Sequence, residues 1–182
     1  MFAGGVSPHK GLDVLVAALR LLHERGVAFP RLVVVGDLDD DTFLSAGDDT
    51  RARAAEPWLA GRLLLPGFVT DAALVALFSQ ATAVVLPSRA EGFGLPAVEA
   101  AACGAPLVLS DLPAHRETLD GAALFSPPGD AGALADAVAR IVGDAALRTT
   151  LAERGRAAVA GLSWDAGARV LRDVLAGVAM PP

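Results

Sequence analysis

Short runs of mostly apolar residues recur along the chain, and each of them is followed by Gly, Pro or Ser. Because the apolar side chains follow one another without alternation, these runs are typical of strands that are buried on both faces of a parallel sheet. Five strands are predicted in this way, namely Leu32–Val35, Arg62–Leu65, Ala83–Leu86, Pro106–Leu109 and Ala122–Phe125. Met1–Gly4 adds the stub of a sixth strand.

Between these runs, apolar residues return every three or four positions, as they do on one face of a helix. The clearest stripe is Leu12, Leu15, Val16, Leu19 and Leu22. Alternation of strands and helices predicts an α/β fold of the Rossmann-like kind, a parallel sheet with helices on both faces and a ligand site at the carboxyl ends of its strands. After Asp130 the pattern changes, and three consecutive helices are predicted.

The length and composition of the chain limit what it can be. A chain of 182 residues buries one sizeable core, so a single domain is expected over residues 1–182. Apolar residues make up 53%, yet Gly, Pro or charged residues interrupt every apolar stretch before the roughly 18 residues of a membrane span. The first ten residues lack the features of a secretory signal. A cytoplasmic protein without a transmembrane segment is therefore expected.

The charge pattern bears on possible partners. The formal net charge is -6, and the basic residues are spread singly. A nucleic-acid surface needs clustered cations, so no nucleic-acid partner is expected. A small anionic ligand remains compatible with this charge, because one or two cations and the amides of a helix N-terminus suffice to bind it. The aspartates within 37–41 and 47–49 are interpreted as a solvated loop, since they lack the spacing of a metal site.

The densest chemical motif is Pro87–Ala100, which follows a predicted strand and opens a predicted helix. Gly92 and Gly94 permit positive φ and close approach of a ligand to the backbone, and a proline suits the first turn of a helix that starts near Leu95. Glu91 precedes this helix, and Glu99 lies about one turn into it. Two carboxylates are therefore expected to flank one pocket, where they can accept hydrogen bonds from ribose and sugar hydroxyls.

These residues resemble a known family. Glu91 and Glu99, with Gly92–Pro96 between them, resemble the paired-glutamate motif of the retaining glycosyltransferases of family 4. Further segments resemble the first phosphate loop, the second strand, the segment after the glutamate motif and a late signature of that family, namely Gly4–Gly11, Leu32–Asp37, Ala102–Val108 and Ser163–Trp164. The resemblance covers essentially the whole chain and implies the C-terminal, donor-binding domain of the two-domain GT-B fold, without its N-terminal acceptor domain.

The resemblance also implies roles for individual residues. Lys10 would bind the donor diphosphate, Glu99 the nucleotide ribose and Glu91 the transferred sugar, which makes Lys10 and Glu91 the catalytic residues. The implied donor-binding residues are Gly4, Gly5, Lys10, Gly67, Phe68, Val69, Gly92, Phe93, Gly94, Leu95 and Glu99. The donor would be a UDP-, GDP- or ADP-linked sugar. No metal or further cofactor is expected, because Lys10 and helix amides offset the charge of the leaving diphosphate.

Some alternatives stay open at this stage. Gly5 stands where many family members have arginine, so phosphate binding rests more heavily on Lys10, and His9 and Arg89 are candidates to compensate. The leading function is the donor-binding half of a retaining hexosyltransferase. The alternatives are a nucleotide-sugar-binding module without turnover, or an epimerase or phosphorylase of the same architecture. Trp164, beside a predicted helix cap at Ser163, is interpreted as a packing aromatic.

Overall fold

Strands and helices alternate along the chain as predicted, within the residues that the computed structural model describes, which are 1–5, 7–36 and 56–178. The strands are β1 (Phe2–Ala3), β2 (Leu32–Val35), β3 (Leu63–Gly67), β4 (Val84–Leu86), β5 (Leu107–Ser110) and β6 (Leu124–Ser126). The helices are α1 (Leu12–Glu24), α2 (Asp71–Gln80), α3 (Leu95–Ala102), α4 (Pro113–Leu119), α5 (Ala131–Gly143), α6 (Ala145–Val159) and α7 (Trp164–Val178). The aspartates interpreted as a solvated loop lie outside the described residues.

All strand pairs are parallel, with β1-β2-β3 on one side and β4-β5-β6 on the other. Met1 joins the two halves, because its nitrogen donates to the Ala83 carbonyl at 2.8 Å and its own carbonyl accepts from the Val85 amide at 2.9 Å. The resulting strand order is 3-2-1-4-5-6. In such a doubly wound sheet, ligands bind where the order reverses, which is here between the carboxyl ends of β1 and β4.

The core lies between this sheet and its helices. Every residue of β4 and β5 is buried, while α1 packs against α5 and α3 packs against α6. The buried-strand pattern does not extend to β3, whose Leu64 is 42% exposed. Among the described strands, β3 ends the order and has a neighbour on one side only. The predicted parallel α/β sheet is confirmed, and the prediction of burial on both faces was wrong for this edge strand.

The last helix departs from one expectation. The Ser163 hydroxyl accepts a hydrogen bond from the Ala166 amide at 3.1 Å, as a helix cap does. Trp164, however, is 86% exposed, so its interpretation as a packing aromatic was wrong. The reason is that α7 presents most of its side chains to solvent, including Val170, Leu171 and Val174. Among the described helices, none combines the length and the hydropathy needed to cross a membrane.

Candidate functional site

The loops that follow β1 and β4 are in contact at the point where the strand order reverses. The Arg89 amide donates to the His9 carbonyl at 2.7 Å, which ties the second loop to the first. Gly11 has a φ of +72°, and a Cβ at this position would lie 2.0 Å from the carbonyl oxygen of Pro87. Only glycine permits both this backbone conformation and this approach. The two loops therefore form one unit at the carboxyl edge of the sheet.

Arg89 reinforces this unit from the outside. Its guanidinium donates to both carboxylate oxygens of Asp13, at 2.9 and 2.6 Å, and to the Pro8 carbonyl at 2.6 Å. The hydrogen bond from Arg89 lowers the pKa of Asp13, and the same pair raises that of the guanidinium. Arg89 is thus engaged by α1 and its preceding turn. Of the two candidates to compensate for Gly5, only His9 has an exposed side chain without a hydrogen bond among the described contacts.

Lys10 and Glu91 form an ion pair in the crevice between these two loops, although they lie 81 positions apart in the sequence. The Lys10 ammonium donates to Glu91 Oε1 at 2.9 Å and to Oε2 at 3.2 Å, and the Ser88 hydroxyl donates to Oε1 at 2.8 Å. The side chains are 22% and 11% exposed, respectively. Lys10 is also the only lysine in the sequence. The structure therefore brings together the two residues to which the resemblance gives a catalytic role, and it does so through a direct ion pair.

The surroundings of Glu91 have opposing effects on its acidity. Burial by itself would raise the pKa of this carboxyl group. Hydrogen bonds from Lys10 and Ser88, together with the charge of Lys10, outweigh burial and lower the pKa below its ordinary value. Glu91 is therefore ionised at neutral pH, and a positive or hydrogen-bonding group that enters the crevice meets a full negative charge.

The lowered pKa of Glu91 predicts how the difference in stability between the parent protein and the variant Glu91→Gln depends on pH. Since the pKa of Glu91 is lower in the folded protein than its ordinary 4.5, ionised Glu91 stabilises the fold above pH 4.5, and the contribution is lost as the pH falls through the lowered pKa. The unfolding free energies of the parent and the variant should converge below pH 4.5. Denaturant titrations at a series of pH values measure this, and Glu153→Gln, an exposed carboxylate on α6, is the control. If the difference in unfolding free energy between the parent and Glu91→Gln stays constant or widens on acidification, the pKa of Glu91 is not lowered by folding.

The turn formed by residues 92–94 leads directly into α3. Gly94 precedes the helix with a φ of +82°, and Pro96 occupies the first turn. No side chain caps this end, so its free amides keep the partial positive charge of a helix N-terminus. The side chains of Phe93 and Leu95 are exposed beside it. An anionic group can therefore bind at this end of α3, next to the Lys10–Glu91 pair.

The other predicted site residues follow β1 and β3 at the same edge or, in the case of Glu99, lie in the helix that begins there. Gly4 and Gly5 follow β1, and Gly67, at the end of β3, has a φ of +74° and leads into the exposed Phe68 and the half-buried Val69. Glu99 lies inside α3, where it is exposed and makes no ion pair or side-chain hydrogen bond with the described residues. The two glutamates make no contact with each other among the described residues, and the pocket that they are expected to share stays a prediction.

Asp13, Ser88 and His115 belong to this region but are not among the residues that the sequence predicts for it. Asp13 and Ser88 hold Arg89 and Glu91, respectively. His115 is 1% exposed and lies beneath the turn at Gly94. Asp13 and His115 lack a local signal because each acts on a residue of another element, whereas Ser88 lies three residues before Glu91, within the motif Pro87–Ala100. Within the described ranges, His, Cys, Asp and Glu side chains form no group of three that could hold a metal, and metal-free chemistry stays a prediction.

Comparison with known proteins places the chain in a family. The family described as "Glycosyl transferases group 1" matches residues 1–144. The O-antigen chain mannosyltransferase B of Escherichia coli is 32% identical over 168 residues, which are 91% of this chain and 42% of that protein. The D-inositol 3-phosphate glycosyltransferase of Xylanimonas cellulosilytica is 34% identical over 178 residues, which are 97% of this chain and 41% of that protein. The chain thus spans less than half the length of these relatives.

Solved structures agree with this placement. Sucrose-phosphate synthase from Thermosynechococcus elongatus superposes with a TM-score of 0.83 at 30% identity, over 97% of this chain and 45% of that protein. Anabaena Alr3699/HepE, solved in complex with UDP-glucose, superposes with a TM-score of 0.82 at 23% identity, over 97% of this chain and 48% of that protein, and supports the fold. The chain therefore belongs to the group 1 glycosyltransferases and has the Rossmann-like fold of a GT-B glycosyltransferase domain.

Proposed function

We propose that this chain is the donor-binding part of a retaining glycosyltransferase of family 4, which transfers a hexose from a nucleoside diphosphate sugar to an acceptor. The Lys10–Glu91 pair is the observation that carries this proposal, because it sets a cation and an ionised carboxylate at the reversal point of the sheet, beside the free N-terminus of α3. The names of relatives support it, since they include a mannosyltransferase, and a UDP-glucose complex is known for one protein of the same fold.

In this proposal the donor diphosphate replaces Glu91 as the anionic partner of Lys10. Glu91 is the anionic partner of Lys10 in this structure, and a donor diphosphate offers the ammonium a stronger anion in its place. Lys10 and the amides at the start of α3 then offset the negative charge that builds up on the leaving diphosphate, so that no metal ion is required. Glu91, released from Lys10, faces the transferred sugar, where its charge stabilises the positive charge that develops at the anomeric carbon.

The remaining contacts follow the same arrangement. Glu99, exposed on α3, accepts hydrogen bonds from the ribose hydroxyls, and the backbone of Gly67, Phe68 and Val69 borders the base. We further propose that the acceptor binds to a part of the enzyme outside these 182 residues. Closure of a cleft between two parts excludes water and completes the catalytic arrangement. The chain by itself should then bind the nucleotide weakly and transfer no sugar.

Calorimetric titration with UDP, GDP and ADP tests the donor site. At least one of these nucleoside diphosphates should bind, and Glu99→Ala should weaken that binding by about 1.5–3 kcal/mol, the scale of a hydrogen bond to a charged group. The same loss should appear with the corresponding nucleoside, because both ligands carry the ribose. Glu117→Ala, which removes an exposed carboxylate on α4, is the matched control. If none of the three diphosphates binds to the parent, the proposed function is wrong.

A further inference from the structure

His115 occupies an unusual position for a polar side chain. It lies in α4 with 1% of its surface exposed, and the ring nitrogen Nδ1 is 2.9 Å from the carbonyl oxygen of Ser110, at the end of β5. A carbonyl oxygen only accepts hydrogen bonds, so Nδ1 carries the hydrogen and donates it. In the neutral imidazole, Nε2 is then an acceptor. The ring is thus fixed in both position and tautomer from the β5 side.

The opposite edge of the ring faces the turn that precedes α3. A Cβ built on Gly94 would lie 2.9 Å from His115 Cδ2 and 3.1 Å from Nε2, both shorter than ordinary carbon contacts. Nε2 itself is buried and has no hydrogen-bond partner among the described residues. Buried polar atoms are rarely left unpartnered in proteins, and those that are call for an explanation. Here the unpartnered atom lies directly beneath the turn.

Glu91 directly precedes this turn in the sequence, and its carboxylate pairs with Lys10. The turn therefore has Lys10 and Glu91 on one side and His115 beneath it. Gly94 has room for the imidazole only because it lacks a side chain. Any change in the ring edge should shift the backbone of residues 92–94, and with it the amides at the start of α3.

We propose that His115 is a positioning residue of the donor site, whose ring edge holds the turn of residues 92–94 at the height at which its backbone amides face the nucleotide sugar. This inference rests on the proposed function, since it concerns how that site is held in place. It assigns His115 a role through Gly94 and not through direct contact with the sugar. The Ser110 carbonyl fixes the ring, and the ring in turn fixes the glycine turn.

Two conservative variants separate this role from a merely structural one. His115→Asn keeps an amide nitrogen close to the position of Nδ1, so it retains the anchor to Ser110 but is too short to reach Gly94. His115→Gln reaches the position of Nε2 but loses the anchor. If the ring edge positions the turn, the asparagine variant should bind the nucleotide about tenfold more weakly, a difference of about 1.4 kcal/mol, and the glutamine variant should restore binding.

The probes are UDP, GDP and ADP, with UDP-glucose, GDP-mannose and ADP-glucose as the sugar-bearing forms. Affinities are measured by calorimetry on samples whose folding is checked by thermal unfolding, and His23→Asn, an exposed histidine on α1, is the control. Tight binding by the asparagine variant together with a loss in the glutamine variant shows that only the anchor matters and overturns the proposal. Equal binding by the parent and both variants overturns it as well.

A double-mutant cycle with Gly94 supplies a second, independent test. Gly94→Ala introduces a Cβ that collides with the ring, so it should weaken nucleotide binding strongly in the parent and less in a His115→Ala background. The backbone strain of alanine at a φ of +82° is common to both backgrounds and cancels. If the losses of binding free energy from the two substitutions simply add, the ring does not position the turn of residues 92–94 and the inference is wrong. Failure of the parent to bind any probe overturns the proposed function instead, so the two failures are distinguishable.

Discussion

The variant Gly11→Ala is expected to lose about 2–5 kcal/mol of unfolding free energy, through two separate costs. A left-handed backbone costs a residue with a side chain roughly 1–2 kcal/mol, and Gly11 has a φ of +72°. The new Cβ would also lie 2.0 Å from the carbonyl oxygen of Pro87, which is backbone and cannot rotate away. The two loops must therefore separate, and the crevice that holds Lys10 and Glu91 is distorted with them.

Gly61 provides a matched control for this experiment. It has the same φ of +72°, but a Cβ at this position meets no atom of the described residues within 4 Å. Gly61→Ala should therefore show the backbone cost alone, roughly 1–2 kcal/mol. Chemical denaturation of both variants measures the difference, which is the cost of the contact with Pro87. Equal losses in the two variants would show that the loops tolerate separation and that their contact contributes little.

Opposite effects are expected when the two members of the ion pair are removed. Lys10→Ala should weaken binding of a nucleoside diphosphate by about 1.5–3 kcal/mol, or roughly 10- to 150-fold, because the phosphate loses its cation and Glu91 is left as an uncompensated negative charge. Glu91→Gln should bind the diphosphate as tightly as the parent or more tightly, since it removes the carboxylate that competes for Lys10. Its cost should appear only in turnover of the complete enzyme, because charge develops on the sugar in the transition state.

Calorimetry with the diphosphate and with the corresponding nucleoside measures both effects. The loss in Lys10→Ala should shrink with the nucleoside, which has no phosphate for the ammonium to pair with. The control for the change in net charge is Arg25→Ala, which removes an exposed cation at the opposite end of α1 from Lys10. If Lys10→Ala binds the diphosphate as tightly as the parent, the phosphate is held elsewhere and the proposed roles of both residues fail.

Much of the fold could be predicted from local pattern. The apolar runs at Leu32–Val35 and Ala83–Leu86 correspond to β2 and to all of β4, and the three helices after Asp130 are present as α5, α6 and α7. Local pattern suffices here because an element's period and its turn residues depend on near neighbours. Leu64 shows the limit, since its exposure depends on the position of β3 at the edge of the sheet, which a run of leucines does not encode.

The site could be predicted in its parts but not in its connections. The glycine turn and the helix start after β4 have local signals, and the resemblance adds Lys10 and Glu91. The ion pair between these two residues, and the contact of Gly11 with Pro87, join loops that are distant in sequence. The burial of His115 depends likewise on where α4 packs. Contacts of this kind follow from tertiary packing, so no spacing within one segment reveals them.

Because Lys10 is the only lysine in the sequence, lysine-directed chemistry is selective for the crevice that holds it. A reagent directed at lysine ε-amines has one target in this sequence, and that target is held against Glu91 with 22% of its side chain exposed. Covalent labelling of Lys10 therefore reports directly on access to the crevice, without the background that many surface lysines produce in other proteins. For the same reason, immobilising the chain through lysine amines attaches it to the support by the very group that the proposed donor requires.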